Sequence, residues 1–334
     1  MIFEDGDSRL RLGYVSKYVN KEIIFRSFFC DCHLEKIYLG RDLYYEHDFL
    51  KEYEFAFYKC ENLTSLTIGP KVKEIGPYLF YGCWNLSNLT IHSGVASVGE
   101  FAFGGCWSLK NVVLPNSVKK IFNNAFKDCI ELETITIPDG VDSIGCRAFA
   151  NDSSLVSVAI PSSVTTIARE TFWNCKSLYS IVIPSSVTSI DALAFDGCRS
   201  LSSLTIPSSV IRLNIWSFRG CTGLKSLVIE DGSSVLDCWC YTGQKGRSAF
   251  ASCPLENVYL GRNLSYFAEK KYGFSPFCKQ ENLTKLIIGP EVTTIGDYAF
   301  KDCKSLTSVV IPSNVASIGK DAFKGCKSID IQRK

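Results

Sequence analysis

The chain has 334 residues, of which 46% are hydrophobic, so it is long and apolar enough to bury a sizeable core. Its 36 lysines and arginines nearly balance its 34 aspartates and glutamates, which leaves no overall charge excess to attract a polyanion and argues against a nucleic-acid partner. No run of 18 apolar residues could span a bilayer, so this chain is not expected to insert into a membrane.

Residues 1–28 do not follow the pattern that governs the rest of the chain, and they are predicted to form an irregular N-terminal cap. The start, MIFEDGDSRLRLGY, carries acids and arginines where a signal peptide has its apolar segment. The chain as given is therefore expected to carry no signal peptide. A natural leader that had been removed would leave the same start, so both cases stay open.

From residue 29 to residue 334 the chain is predicted to be one solenoid built from a unit of 23 residues. Phenylalanine recurs at this step from Phe57 to Phe218, and a period of this length is typical of solenoids. One unit buries too little apolar surface to offset the entropy lost by ordering its backbone, so the units must stack. About thirteen coils are predicted between Leu34 and Ile329.

Each unit is predicted to contain a short strand, a corner and a helical turn. Ile181 and Ile183 fall on the same side of an extended segment, as a period of two requires. Pro184 lacks an N–H group and ends that strand. The apolar spacing from Ile295 to Phe300 suits a helical turn or two.

Inserts interrupt the repeat at about residues 40–54, 230–248 and 261–276. Several tyrosines of these inserts lie outside the core positions of the repeat, and irregular loops on a rigid scaffold commonly carry recognition. Tyrosines that seal bulges in the solenoid are an equally good interpretation. The tyrosines are Tyr44, Tyr45, Tyr53, Tyr266 and Tyr272.

The outward positions of the strands are mostly serine, threonine and asparagine, which favours a solvated β-sheet face. Towards the two ends of the repeat, lysine and tyrosine replace them, and tyrosine is enriched where partners bind. Together with the tyrosines of the inserts, these positions give the candidate partner-binding residues: Lys36, Tyr38, Tyr44, Tyr45, Tyr53, Tyr259, Tyr266, Tyr272 and Lys285.

The sixteen cysteines mostly follow the repeat, because eleven of them stand three residues after a phenylalanine. They are predicted to be buried thiols that act as small apolar side chains. Cys30 and Cys32, like Cys238 and Cys240, form CxC pairs, which are a weak zinc signal, and no metal site is predicted.

The sequence offers no catalytic or cofactor-binding constellation. The three histidines His33, His47 and His92 have no partners at the same repeat position, and no nucleophile with a base and an orienting acid can be nominated. Glycine-rich phosphate-binding motifs are missing as well. We therefore expect no enzyme activity and no cofactor.

The pattern IPSSVTSIxxxAFxxCxSLxxLxIP, nearly intact from Ile183 to Pro207, resembles the BspA-type leucine-rich repeat family of bacterial surface proteins. The resemblance extends from about Phe29 to Ile329. It implies an α/β leucine-rich repeat solenoid with one parallel β-sheet on its concave side and short helical turns or loops opposite.

The resemblance also implies a non-enzymatic, adhesin-like binding module for a protein or a glycan, at the cell surface or outside the cell. The alternative is a structural spacer that presents another domain. The exposed edge of the last coil makes end-to-end self-association a further expectation.

Overall fold

The computed structural model describes residues 1–4, 10–11, 16–19, 22–25, 29, 33–44, 56–238, 248–266, 275–327 and 330–333. Two compact units follow one another along the chain, Met1–Ser163 and Val164–Lys334. Each unit repeats a coil that contains one strand of two to four residues, a second strand of two residues and a segment of tight turns.

In the first unit the strands of successive coils pair in parallel, with β1–β5–β7–β9, β11–β13–β15, β8–β10–β12–β14 and β2–β6 in register order. Strands β3 and β4 form an antiparallel pair. Within its described residues the strands are β1 (Ile2–Phe3), β2 (Leu10–Arg11), β3 (Ser16–Val19), β4 (Glu22–Phe25), β5 (Lys36–Leu39), β6 (Leu43–Tyr44), β7 (Ser65–Ile68), β8 (Glu74–Ile75), β9 (Asn88–Ile91), β10 (Ser97–Val98), β11 (Asn111–Val113), β12 (Lys120–Ile121), β13 (Thr134–Thr136), β14 (Ser143–Ile144) and β15 (Ser157–Ala159).

In the second unit a parallel sheet runs β19–β21–β23–β25–β27–β29, and the short strands pair as β16–β18–β20–β22–β24 and β26–β28. Its described strands are β16 (Thr166–Ile167), β17 (Ser180–Val182), β18 (Ser189–Ile190), β19 (Ser203–Ile206), β20 (Arg212–Leu213), β21 (Ser226–Ile229), β22 (Leu236–Asp237), β23 (Asn257–Leu260), β24 (Leu264–Ser265), β25 (Lys285–Ile288), β26 (Thr294–Ile295), β27 (Ser308–Ile311), β28 (Ser317–Ile318) and β29 (Asp330–Arg333).

The core of each unit is a stack of phenylalanine rings, one from each coil. The rings lie nearly parallel, which is a favourable arrangement for aromatic pairs. In the first unit the centroids of Phe57 and Phe80 are 5.2 Å apart, and in the second unit those of Phe195 and Phe218 are 5.0 Å apart. The 23-residue period of phenylalanine is therefore the period of the stacked coils.

The predicted column of buried thiols lies beside this stack. Cys106 is fully buried, and its Sγ–H donates to the carbonyl oxygen of Phe80 at 3.4 Å, 26 residues earlier. Cys221 makes the same contact with Phe195 at 3.3 Å in the second unit. In the coils that have this cysteine, it links the coil to the one before it as a weak donor, in addition to filling space.

The helical turns expected opposite the strands are not found in the described residues, which contain no helix. Tyr298 and Asp302, two residues before and after Phe300, have φ angles of 57° and 61°. L-residues avoid this left-handed region in helices, so the segment breaks into overlapping turns. The N–H group of Phe300 then donates to the carbonyl of Ala322 in the next coil at 2.7 Å.

The remaining expectations about organisation stay predictions. The structure describes only part of the proposed cap at 1–28 and only part of each insert, at 40–54, 230–248 and 261–276. Part of the range needed to count thirteen coils also lies outside the described residues. In the described part of the cap, β1 pairs with β5, so that Ile2 aligns with Tyr38.

Candidate partner-binding surface

An apolar row crosses the outward face of the main sheet in the second unit. It consists of Val228, Tyr259, Ile287 and Val310, which are direct neighbours in register on β21, β23, β25 and β27. The exposed fractions are 37% for Val228, 44% for Ile287 and 41% for Val310. Alternation along each strand places these side chains in solvent while their neighbours enter the core. The sheet therefore presents one continuous apolar strip.

Tyr259 is held in place within this row. Its hydroxyl donates to the carboxylate of Asp231, whose oxygens lie 2.7 and 2.9 Å away. Partial desolvation raises the pKa of Tyr259, and the hydrogen bond to Asp231 and its charge raise it further. A Cβ atom at Gly289 would lie 2.8 Å from the tyrosine oxygen, so glycine leaves the space that this pair occupies.

A polar row borders the apolar row on the same strands. Asn257 aligns with both Ser226 and Lys285, and Lys285 is exposed. Two of the predicted partner-binding residues, Tyr259 and Lys285, are thus brought onto neighbouring strands of one face. Of these residues, tyrosine belongs to the types that are enriched where partners bind.

Tyr266 lies at a different place and makes internal contacts. Its hydroxyl donates to the carbonyl of Asp297 at 3.0 Å, and its ring occupies the space in which a side chain at position 296 would stand. Burial raises the pKa of Tyr266 well above its ordinary value. These contacts match the alternative in which an insert tyrosine seals the solenoid, and its role in binding stays a prediction.

The other predicted residues fall in the first unit or outside the described residues. Lys36 is exposed and Tyr38 is half-buried on β5, where Tyr38 aligns with Ile2 and Thr67. Tyr44 belongs to β6, but its side chain is not described. Tyr45, Tyr53 and Tyr272 lie outside the described residues.

Two neighbouring insert residues that the sequence did not single out act as internal connectors. Arg262 is fully buried and donates to the carbonyls of Ser208 at 2.7 Å and Pro207 at 2.9 Å. The side-chain oxygen of Asn263 accepts the backbone N–H groups of Thr293 and Thr294 at 2.9 and 3.0 Å. The repeated LGR motif, seen also at Arg41, could have pointed to them.

The described residues contain no group of three or more His, Cys, Asp or Glu side chains that could hold a metal ion. Cys146 is an exposed free thiol, and Cys238 and Cys278 are half-buried, whereas Cys30, Cys32 and Cys240 lie outside the described residues. No helix in the described part of the chain is long and apolar enough to cross a membrane.

Parallel coils with repeated Phe, Cys, Leu and Ile positions define a leucine-rich repeat protein. The chain belongs to the BspA-type leucine-rich repeat family, whose family model, for the BspA type leucine rich repeat region, matches residues 21–155, 142–275 and 243–330. These matches cover most of the sequence.

Solved structures that are similar to this one include two bacterial leucine-rich repeat proteins. A leucine-rich repeat protein from Bacteroides ovatus is 28% identical, with a TM-score of 0.65, over 95% of this chain and 79% of that one. A leucine rich cell surface protein from Faecalibacterium prausnitzii is 22% identical, with a TM-score of 0.39, over 100% of this chain and 89% of that one. The search of curated proteins gave no match.

Proposed function

We propose that this chain is a non-enzymatic binding module, displayed at the cell surface or secreted, that recognises a protein or glycan through the outward sheet face of its second unit. The observation that carries the proposal is the apolar row Val228–Tyr259–Ile287–Val310. Contiguous exposed apolar side chains rimmed by polar ones commonly mark interaction sites. Membership of a repeat family that serves as a scaffold supports a binding role over a catalytic one.

The test is a binding array. The purified chain would be applied to extracellular matrix proteins, mucins and glycans at physiological salt, next to a variant with Val228→Thr, Ile287→Thr and Val310→Thr. Threonine keeps the β-branched shape that strands favour while it adds a hydroxyl to the face. We expect saturable binding that the triple variant weakens at least about tenfold, equal to roughly 1.4 kcal/mol.

A matched control is Val113→Thr, because Val113 occupies the same outward strand position in the first unit and is 66% exposed. It should bind as the unchanged chain does. Equal binding by the triple variant would contradict the proposed face. A folded chain that binds nothing on the array would favour the spacer, an alternative supported by the continuous phenylalanine stack within each unit.

A further inference from the structure

A second surface of the second unit carries more lysines than acids. It lies on the turn segments around Phe277, Phe300 and Phe323, which carry six lysines against four acids. The four acids are Glu281, Asp297, Asp302 and Asp321. The lysines, called here the basic row, are Lys279, Lys301, Lys304, Lys320, Lys324 and Lys327.

The repeat aligns four of these lysines in two successive coils, and Lys279 lies in the coil before them. Lys301 and Lys324 hold the same position in successive coils, and so do Lys304 and Lys327. Backbone hydrogen bonds connect the coils at this point, because the N–H group of Lys279 donates to the carbonyl of Lys301 at 2.8 Å. The core rings of these coils are 5.5 and 5.6 Å apart, which sets the spacing between lysines of neighbouring coils.

Most of this charge is not neutralised within the protein. Lys304 contacts Glu281 at 2.6 Å and Lys324 contacts Asp321 at 3.4 Å, but both pairs are exposed to water and bind weakly. Among the described residues, no carboxylate lies within ion-pair distance of the ammonium groups of Lys279, Lys301, Lys320 and Lys327. The basic row therefore offers at least four cations to an external anion.

We propose that the basic row binds an anionic glycan, a polysaccharide that carries sulfate or carboxylate groups. Charge complementarity selects an anionic partner. Sugars with one anionic group every ring or two present charges at intervals comparable to the spacing of the coils. The four lysines that have no ion-pair partner among the described residues come from different coils, and their charges are brought together when the coils stack.

Two other polyanions fit less well. Duplex DNA carries one charge per about 1.7 Å, and the four acids among the lysines would repel so dense an array. The nearby ring of Tyr298 is covered by the ammonium of Lys301 at 5.4 Å, so it cannot stack on a base. An anionic membrane requires an apolar anchor besides lysines for stable attachment, and Tyr298 is only 5% exposed.

The test uses fluorescent heparin as the probe and the full chain. With about four lysine contacts, and a salt exponent near 0.7 per contact as for a single-stranded polyanion, the affinity should fall about 20-fold between about 50 and about 150 mM salt. A variant with Lys279→Gln, Lys320→Gln and Lys327→Gln removes three unpaired, exposed cations. The slope of log affinity against log salt should become shallower by about 2.

Matched variants separate this site from a general charge effect. Lys73→Gln, Lys119→Gln and Lys120→Gln remove three exposed lysines from the first unit and should leave heparin binding unchanged. The corresponding arginine variant of Lys279, Lys320 and Lys327 should retain it. The threonine variant of the apolar row should also bind heparin normally, so failure of the apolar row and failure of the basic row give different results.

Several results would overturn the inference. They are no binding to heparin, equal loss in both glutamine variants, and unchanged binding when the basic row is substituted. Duplex DNA or phosphatidylserine-containing vesicles bound as tightly as heparin would also overturn it, because the partner would then be a nucleic acid or a membrane. Neutral dextran should not bind, and binding to it would refute an electrostatic site.

Discussion

Asp152 occupies the cysteine position of its coil, three residues after Phe149, and replacing it should stabilise the protein. Its side chain is fully buried, with Oδ1 accepting the N–H group of Cys129 at 2.9 Å and Oδ2 without a hydrogen-bond partner. Asp152→Cys would restore a thiol donor like that of Cys129, which donates to the carbonyl of Phe103 in the preceding coil. The N–H group of Cys129 would keep its second acceptor, the carbonyl of Phe126 at 3.2 Å.

The expected gain in stability comes from removing the buried Oδ2 atom of Asp152, which has no hydrogen-bond partner among the described residues. An unsatisfied buried polar group costs about 1–3 kcal/mol, so Asp152→Cys should raise the free energy of unfolding by about that amount at neutral pH. For a unit of this size, each kcal/mol raises Tm by about 2–4 °C. Calorimetry and urea unfolding would measure both quantities. The isosteric Asp152→Asn removes the charge while it keeps the shape, and it serves as the control.

The pH dependence gives a sharper test. Burial is the main cause that raises the pKa of Asp152, Asp128 raises it further, and the Cys129 N–H group and Lys127 lower it. The folded state therefore favours the protonated acid. The protonated Asp152 therefore contributes fully to stability below the ordinary pKa of an aspartate, about 3.9. This contribution is lost as the pH rises through the raised pKa of Asp152 in the folded state.

The stability gap between either variant and the unchanged chain should accordingly widen from acid to neutral pH. A variant less stable than the unchanged chain at neutral pH, or a gap that does not vary with pH, would refute this reasoning.

Two further predictions concern the core. Iodoacetamide at about pH 8 should label the exposed Cys146 and leave Cys83 and Cys106 unlabelled in the folded chain. Burial raises the pKa of the Cys83 and Cys106 thiols, and only the thiolate reacts. Mass spectrometry that finds Cys106 labelled as fast as Cys146 would contradict this prediction. Phe195→Ala should lower the free energy of unfolding, measured with urea, by about 3–5 kcal/mol. The ring of Phe195 is fully buried and stacks between the rings of Phe172 and Phe218, whose centroids are 5.3 and 5.0 Å away. A loss below about 1 kcal/mol would show that the stack is not a main source of stability.

The sequence predicted the repeat and its core because both follow from a fixed period. Phe195 and Cys198 recur with their partners at 23 residues, and side chains at one position must meet when coils stack. The turn segment was predicted wrongly because apolar spacing cannot reveal left-handed residues that are not glycine. Tyr298 and Asp302 adopt that conformation, and amides such as that of Phe300 then bond to the next coil.

The candidate surface was only partly predictable. Tyr259 and Lys285 were identified from their outward strand positions, but the contact of Tyr259 with Asp231 spans an insert that breaks the period. The continuity of the apolar row was equally hidden, because Val228 and Ile287 become neighbours of Tyr259 only through strand register. The basic row was not predicted either, because its lysines come from three separate turn segments that become neighbours only when the coils stack.

The most direct test of the proposed binding face is side-chain footprinting by carbene labelling, with and without the macromolecule that the array retains. We expect Val228, Ile287 and Val310 to become protected together in the complex, while Val113 in the first unit is labelled equally in both samples. Unchanged labelling of the apolar row in a saturated complex would contradict it and would place recognition on another part of the chain.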